Sequence, residues 1–273
     1  MIERSVDIAL QKPLQDFLRA WGPVRWQEDE LPLGEPDKGV GAALHALSTI
    51  ERDSFEIFRK SSLGGVFRDA PVREFAVRWL AEEAEHARAL EYLASIHGFP
   101  SRPLQRQDRS PGVREVLAWP FLVIARAMVP HRQAIYASLG VSQEYVALFT
   151  YSYLSRKLEG SRGSRLLLQM ARQESRHLRF YSAMANFHLQ KPGAAATTRL
   201  LLSRLWRPPG FDALGSSAWW QAFGSMIAEE DFEKGARRMD RIVDRLPGLD
   251  GMNLMAKFLD GGSERTDTLA GST

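Results

Sequence analysis

Two carboxylate–imidazole pairs set into apolar helical stripes constrain this chain more than any other feature. Glu83-Ala84-Glu85-His86 and Glu174-Ser175-Arg176-His177 are both Glu-x-x-His, a spacing that puts the two side chains on one helix face. Around the first, the stripe runs Phe75, Trp79, Glu83, His86, Leu90, Leu93; around the second, Leu167, Met170, Glu174, His177, Tyr181, Met184. Steps of three and four residues make both stripes helical. A carboxylate on a buried face is costly unless a counter-charge or a metal compensates it. Glu82, Glu85, Arg88, Arg172 and Arg176 fall off these stripes and are expected on other faces.

The helix preceding each pair supplies one more carboxylate. Leu44, Leu47, Glu51, Phe55 and Phe58 form one stripe, and Glu144 leads Ala147, Leu148 and Tyr151 in another. Glu51 and Glu83 are equally far from residue 67, within a turn expected between Gly64 and Pro71. Glu144 and Glu174 are equally far from Glu159, in the turn Glu159 to Gly163. Residues equidistant from an antiparallel turn lie level on neighbouring helices. All four carboxylates therefore fall roughly 22–24 Å from their turns, at about 1.5 Å per residue. Glu159, at the turn itself, is excluded from this layer.

One Glu from each of two helices and Glu-x-x-His from the other two is the ligand set of di-iron or di-manganese carboxylate bundles. Glu51, Glu83, His86, Glu144, Glu174 and His177 are the candidate metal ligands, and oxygen and nitrogen donors suit iron or manganese. The alternative is a bundle in which arginines neutralise the buried acids. The chain has no cysteine, which excludes disulfides, iron–sulfur clusters and thiolate zinc sites. Among the other histidines, His188 extends the second stripe and reads as a satisfied core residue, while His45, His97 and His131 have no evident partner. Trp79, Phe55, Tyr151 and Met170 read as packing residues that are also placed to line a cavity.

The pattern along the chain is all-α, with no alternating strand-like run. An N-terminal helix to about Trp21 and a Pro-punctuated extended stretch at 23–32 make up a segment 1–38. The bundle spans 39–190, with helices at Gly39 to Ser62, Val72 to His97, Ser142 to Leu158 and Ser164 to Leu189. A helical crossover occupies 98–141, interrupted at Pro120 and Pro130. Shorter helices at 191–260 pack on the bundle, and the Gly/Ser/Thr-rich stretch 261–273 is expected to be a disordered tail. The apolar run 116–129 is too short to span a bilayer and contains Arg126. Net charge is only +3, and the 29 arginines are interleaved with acids, which disfavours nucleic acid as a partner while leaving an acidic protein open. With no secretory-type leader evident, a cytoplasmic protein is expected.

At these residues the chain resembles the soluble acyl-carrier-protein desaturases. Trp79-Leu80-Ala81-Glu82-Glu83-Ala84-Glu85-His86 is similar to that family's Trp-Thr-Ala-Glu-Glu-x-x-His segment. Gln143-Glu144 and Gln173-Glu174-Ser175-Arg176-His177 resemble its second pair, and Trp26-Gln27 through Leu31-Pro32 resembles the stretch before its bundle. The resemblance covers about Leu14 to Leu214. It implies a ferritin-like four-helix bundle with flanking helices, a homodimer, and two Fe2+ ions (or a Mn/Fe pair) bridged by Glu83 and Glu174. It implies removal of two hydrogens from an acyl chain carried on acyl carrier protein, with O2 as oxidant and electrons from a ferredoxin-type donor. Two positions depart from the family: Gln173 replaces an aspartate that ties a ligand histidine to the early tryptophan, and Ala147 replaces a threonine near the oxygen site. The same ligands would serve an oxygenase or N-oxygenase acting on a small metabolite. A ferritin-like iron-binding protein and a purely structural bundle complete the range.

Overall fold

In a computed structural model the chain is described at residues 2–22, 24, 26, 37–100 and 130–261, with side chains from residue 6 onward. Most of the stretch 23–32 expected to be extended, most of the expected crossover 98–141 with its apolar run 116–129, and the expected tail beyond Gly261 lie outside the described residues. Within them the structure is helical throughout, with no strand. The helices are α1 (Ile2–Ala20), α2 (Lys38–Leu63), α3 (Ala70–Ile96), α4 (Arg132–Lys157), α5 (Arg162–Leu189), α6 (Ala194–Leu205), α7 (Phe211–Leu214), α8 (Ser216–Ile227), α9 (Glu230–Val243) and α10 (254–261).

Two antiparallel hairpins, α2–α3 and α4–α5, make the four-helix bundle, and both turn where the sequence places its breaks. The boundaries follow local chemistry. Asp37 Oδ1 accepts from Val40 N at 3.0 Å to cap α2, and Pro71 fits the first turn of α3. Ser161 Oγ accepts from Ser164 N at 3.0 Å to cap α5, just after Gly160 turns the chain at φ 82°. Around the bundle, α1 lies on α3 and α5, α6 and α9 lie on α4, and α8 lies on α2. The core is one connected apolar cluster; Phe75 and Phe180 stack across α3 and α5 with ring centroids 4.0 Å apart.

One boundary differs from expectation. The third bundle helix, α4, starts at Arg132, ten residues before Ser142, and runs through Gly140 without a break. Gly140 is a contact residue rather than a helix end: a Cβ built there would lie 2.4 Å from the Tyr181 ring. Its lack of a side chain lets α4 and α5 approach closely, which outweighs the low helix propensity of glycine. The expected stripe on α2 is also corrected at its end. Phe55 is 59% exposed, and Phe58 is half-buried, stacking on Phe67. Glu51 sits near the end of the buried face, since no residue of α2 beyond Ser54 is buried.

Candidate metal centre

The four bundle helices bring all six expected residues to one place. Glu51 comes from α2, Glu83 and His86 from α3, Glu144 from α4, and Glu174 and His177 from α5, and every one is buried. They form two overlapping groups: Glu51, Glu83, His86, Glu174 and Glu83, Glu144, Glu174, His177. Within each group one donor atom per residue lies within 4.8 Å of all the others. Glu83 and Glu174 belong to both groups, with Glu51 and His86 on one side of them and Glu144 and His177 on the other.

The donor atoms converge, and three of them are left unsatisfied. His86 Nδ1 is 3.0 Å from Glu174 Oε1, yet both atoms, and Glu83 Oε1 with them, lack a hydrogen-bond partner. Atoms this close but misaligned for a hydrogen bond point at a shared centre. His177 Nδ1 lies 3.2 Å from Glu83 Oε1, 3.2 Å from Glu144 Oε2 and 3.1 Å from Glu174 Oε2. Four carboxylates and two neutral imidazoles carry a charge that two divalent cations would balance, so the donor set fits such a pair.

The outward nitrogens of both rings are fixed by neighbours. His177 Nε2 is 2.7 Å from Glu82 Oε2, and an ionised carboxylate only accepts, so Nε2 carries the proton. His86 Nε2 is 2.7 Å from Gln173 Oε1, while Gln173 Nε2 donates to the Gly22 carbonyl at 2.6 Å. That carbonyl can only accept, which fixes the amide orientation and makes His86 Nε2 a donor as well. Both Nδ1 atoms are therefore turned inward, where a metal could replace the proton that each ring carries without one. Gln173 Nε2 also approaches Glu82 Oε1 at 3.3 Å, linking the two histidines through one Glu82–Gln173 bridge. Arg176 neutralises Glu82 at 3.2 Å.

Two aromatic donors steer the remaining carboxylates. Trp79 Nε1 donates to Glu144 Oε1 at 3.1 Å, and the Tyr151 hydroxyl donates to Glu51 Oε1. Burial, and then the neighbouring Glu83, pushes the Glu51 carboxyl well above the usual range. Burial and Glu174 do the same to Glu144. Burial opposes charge on Glu174 too, but His86 and His177 hold it down at about 2; hydrogen bonds from Glu51 and both histidines likewise keep Glu83 low. Burial lowers the His86 imidazole, yet Glu174 and Glu83 outweigh it and raise it to about 10. His177 is raised well above its ordinary value against the same burial, by Glu144, Glu174 and Glu82.

A cavity of about 330 Å³ reaches Glu51, Glu83, Glu144 and Glu174 between α2 and α4, roofed by the turn from Leu205 to Ala213. Trp79 and Ala147 line it, and Asp53, Gln143, Arg207 and Asp212 give it polar walls. A second cavity of about 50 Å³ abuts it, with Ile50, Glu51, Ala147, Pro208 and Pro209 as shared walls. Apart from Thr150 its other walls are apolar, among them Phe149, Trp219, Phe223 and Phe232. Of the four expected packing or lining residues, Trp79 lines the first cavity, Tyr151 holds Glu51, Met170 is core, and Phe55 is exposed.

Three residues have roles that the apolar stripes did not reveal. Glu82, expected on another face, is 1% exposed and holds His177; Arg176 pairs with it; Gln173 holds His86. The signal was present in a neighbouring stripe. Phe75, Trp79, Glu82, His86, Ala89, Leu93 on α3 and Leu166, Met170, Gln173, His177, Phe180, Met184 on α5 share alternating steps of four and three, and all twelve residues are buried. The early tryptophans take no part in this network: Trp21 Nε1 donates to the Arg78 carbonyl and Trp26 packs on Tyr92. Elsewhere, His97 Nδ1 accepts from Asp37 N at 3.0 Å, and His45 packs on Phe99 with Nδ1 unpartnered. His188 is buried as expected but is not satisfied, since its Nε2 has no partner.

Comparison with protein-family models, curated proteins and solved structures returned no match to this chain. Among the described residues, no helix is long and apolar enough to cross a membrane.

Proposed function

We propose that this chain is an O2-dependent di-iron oxidase that desaturates an acyl chain presented by acyl carrier protein, drawing electrons from a ferredoxin-type donor. The observation that carries the metal assignment is the sharing of Glu83 and Glu174 by two four-residue donor groups. Glu51, Glu83, His86 and Glu174 would hold one ion, and Glu83, Glu144, Glu174 and His177 the other. Bound there, two iron ions would supply oxidising power that amino-acid side chains lack. The chain's own part is to hold and orient. Trp79 and Tyr151 fix Glu144 and Glu51, Glu82 and Gln173 fix the ring planes of His177 and His86, and the apolar walls beyond Ala147 exclude water from a methylene chain laid against Glu51. A homodimer docking an acidic carrier through its arginine surplus completes this reading.

One observation favours a second reading, a di-iron oxygenase or N-oxygenase on a small metabolite. The apolar cavity holds only about 50 Å³, whereas the polar one, at about 330 Å³, is within the ordinary range for small-molecule sites. Mass spectrometry after incubation of the iron-loaded protein with acyl carrier protein substrates, a reductant and O2 separates the two. Loss of two hydrogens from the acyl chain supports desaturation. An oxygen gained by a small amine or alcohol, with the acyl chain untouched, would replace it with the second reading.

A further inference from the structure

The smaller cavity beside Glu51 differs in kind from the wider one it abuts. It encloses about 50 Å³ between α2, α4 and the flanking helices, and Leu47, Ile50, Val146, Phe223 and Met255 are among its walls. Among the described residues, three side chains with polar atoms line it: Glu51, Thr150 and Trp219. Two of them are already engaged. Trp219 Nε1 donates to the Pro209 carbonyl at 2.9 Å, while Glu51 accepts from the Tyr151 hydroxyl and hydrogen-bonds Glu83. A buried water needs roughly two to four partners, and of these side chains only Thr150 is left to offer one. A cavity of this chemistry stays dry.

Its walls are also braced against closing. Phe149 and Phe232 pack with ring centroids 5.1 Å apart, and Trp219 and Phe223 at 5.2 Å. Packed side chains relax only partly into a void, and an unfilled void costs stability in proportion to its volume. An apolar occupant removes that cost. Size then selects the occupant: apolar cavities of roughly 150 Å³ hold benzene or xenon. At about 50 Å³ this one has room for a diatomic molecule and not for an acyl chain. Val146, Phe149 and Ile227 are half-buried, so the cavity reaches towards the surface on their side. Glu51 and Ala147 stand at the other side, where it meets the wider cavity.

We propose that this cavity binds dioxygen and delivers it to the centre at Glu51, leaving the wider cavity of about 330 Å³ to the organic substrate. The delivery rests on O2 as the oxidant of the proposed function; the binding itself needs no metal. Dissolved O2 is paramagnetic and relaxes nearby protons, so methyl relaxation of the metal-free full chain under O2, compared with N2, reads its occupancy. The methyls of Leu47, Met255 and Leu259 should relax faster under O2 than those of Leu14, Leu202 and Leu246, which are comparably buried and line neither cavity. The excess should disappear in Ala236→Leu and in Ile227→Phe, two substitutions that fill the cavity from α9 and α8. Equal relaxation in the two sets would overturn the proposal, as would an excess that survives in either folded variant. Magnetisation transfer from water to the Leu47, Met255 and Leu259 methyls, the mark of a wet cavity, would overturn it too. After iron loading, Ile227→Phe should react with O2 more slowly than wild type at unchanged iron content, and an unchanged rate would overturn the delivery. A wild-type chain that shows the excess but takes up no iron would uphold the dioxygen site and overturn the oxidase reading instead.

Discussion

At the residue scale, the centre without metal is neutralised by protons rather than by ions. His86, raised to about 10, holds its proton at neutral pH, and His177, Glu51 and Glu144 are shifted in the same direction. Metal ions must displace the protons held there, so binding divalent cations at neutral pH is expected to release at least about one, that of His86. Calorimetry in two buffers of different ionisation enthalpy counts them; zero release would contradict the assignment. Stability follows the same signs. A His86 raised from 6.5 to about 10 stabilises the metal-free fold fully below pH 6.5 and loses that contribution as pH climbs towards 10. Glu174, lowered to about 2, contributes above 4.5 and loses its contribution as pH falls towards 2. Metal-free protein should therefore melt at progressively lower temperature between pH 7 and about 10, and metal-loaded protein should not.

The bridge behind the histidines is tested separately. Glu82→Gln keeps the shape but replaces the charged acceptor of His177 Nε2–H, and should weaken metal binding by about 10–100-fold while the helical spectrum is unchanged. Unaltered affinity would show that Glu82 only fills space. The six donors were legible in the sequence because a charged residue on an apolar stripe stands out against it. Glu82 was not, because two stripes offset by one residue run along α3 and only packing against α5 decides that both are buried. Gln173 was visible as a departure from an aspartate, but its partner, the Gly22 carbonyl, is 151 residues away in sequence.

At the element scale, the hairpin symmetry carried the fold. Helices whose lengths match across a turn place equidistant residues level, and α2–α3 and α4–α5 do so with Glu51 opposite Glu83 and Glu144 opposite Glu174. The start of α4 was misread because glycine marks both helix ends and close helix contacts, and only the Tyr181 ring against Gly140 tells which applies. Gly140→Ala should accordingly destabilise the protein by about 1–3 kcal/mol in a denaturant melt, since overpacking exceeds the propensity gain. A stabilised variant would mean that α4 and α5 have room to part. The α9 helix shows the same device at Gly235, where a Cβ would lie 1.9 Å from the Phe149 ring on α4.

At the scale of the whole molecule, the bundle supplies the donors and the flanking helices supply the cavity. The turn from Leu205 to Ala213 and helices α8, α9 and α10 wall a space that opens onto Glu51 on one side and onto apolar side chains on the other. Composition and periodicity announced those helices but not the cavity, which exists only once they are docked. Ala147 stands where the two cavities meet, one helical turn from Glu144. Ala147→Leu should leave metal binding intact and raise KM for long acyl substrates more than for short ones. An equal effect on both would place the chain elsewhere.

The proposed function of this chain depends on the metal pair. Anaerobic loading with Fe(II), followed by metal analysis of wild-type protein and the Glu83→Ala/Glu174→Ala variant, addresses it directly. About two irons per wild-type chain, and an O2-dependent optical change absent from the folded variant, is the predicted result. A well-folded wild-type protein that takes up no iron or manganese would contradict it, and would leave four buried carboxylates neutralised by protons alone.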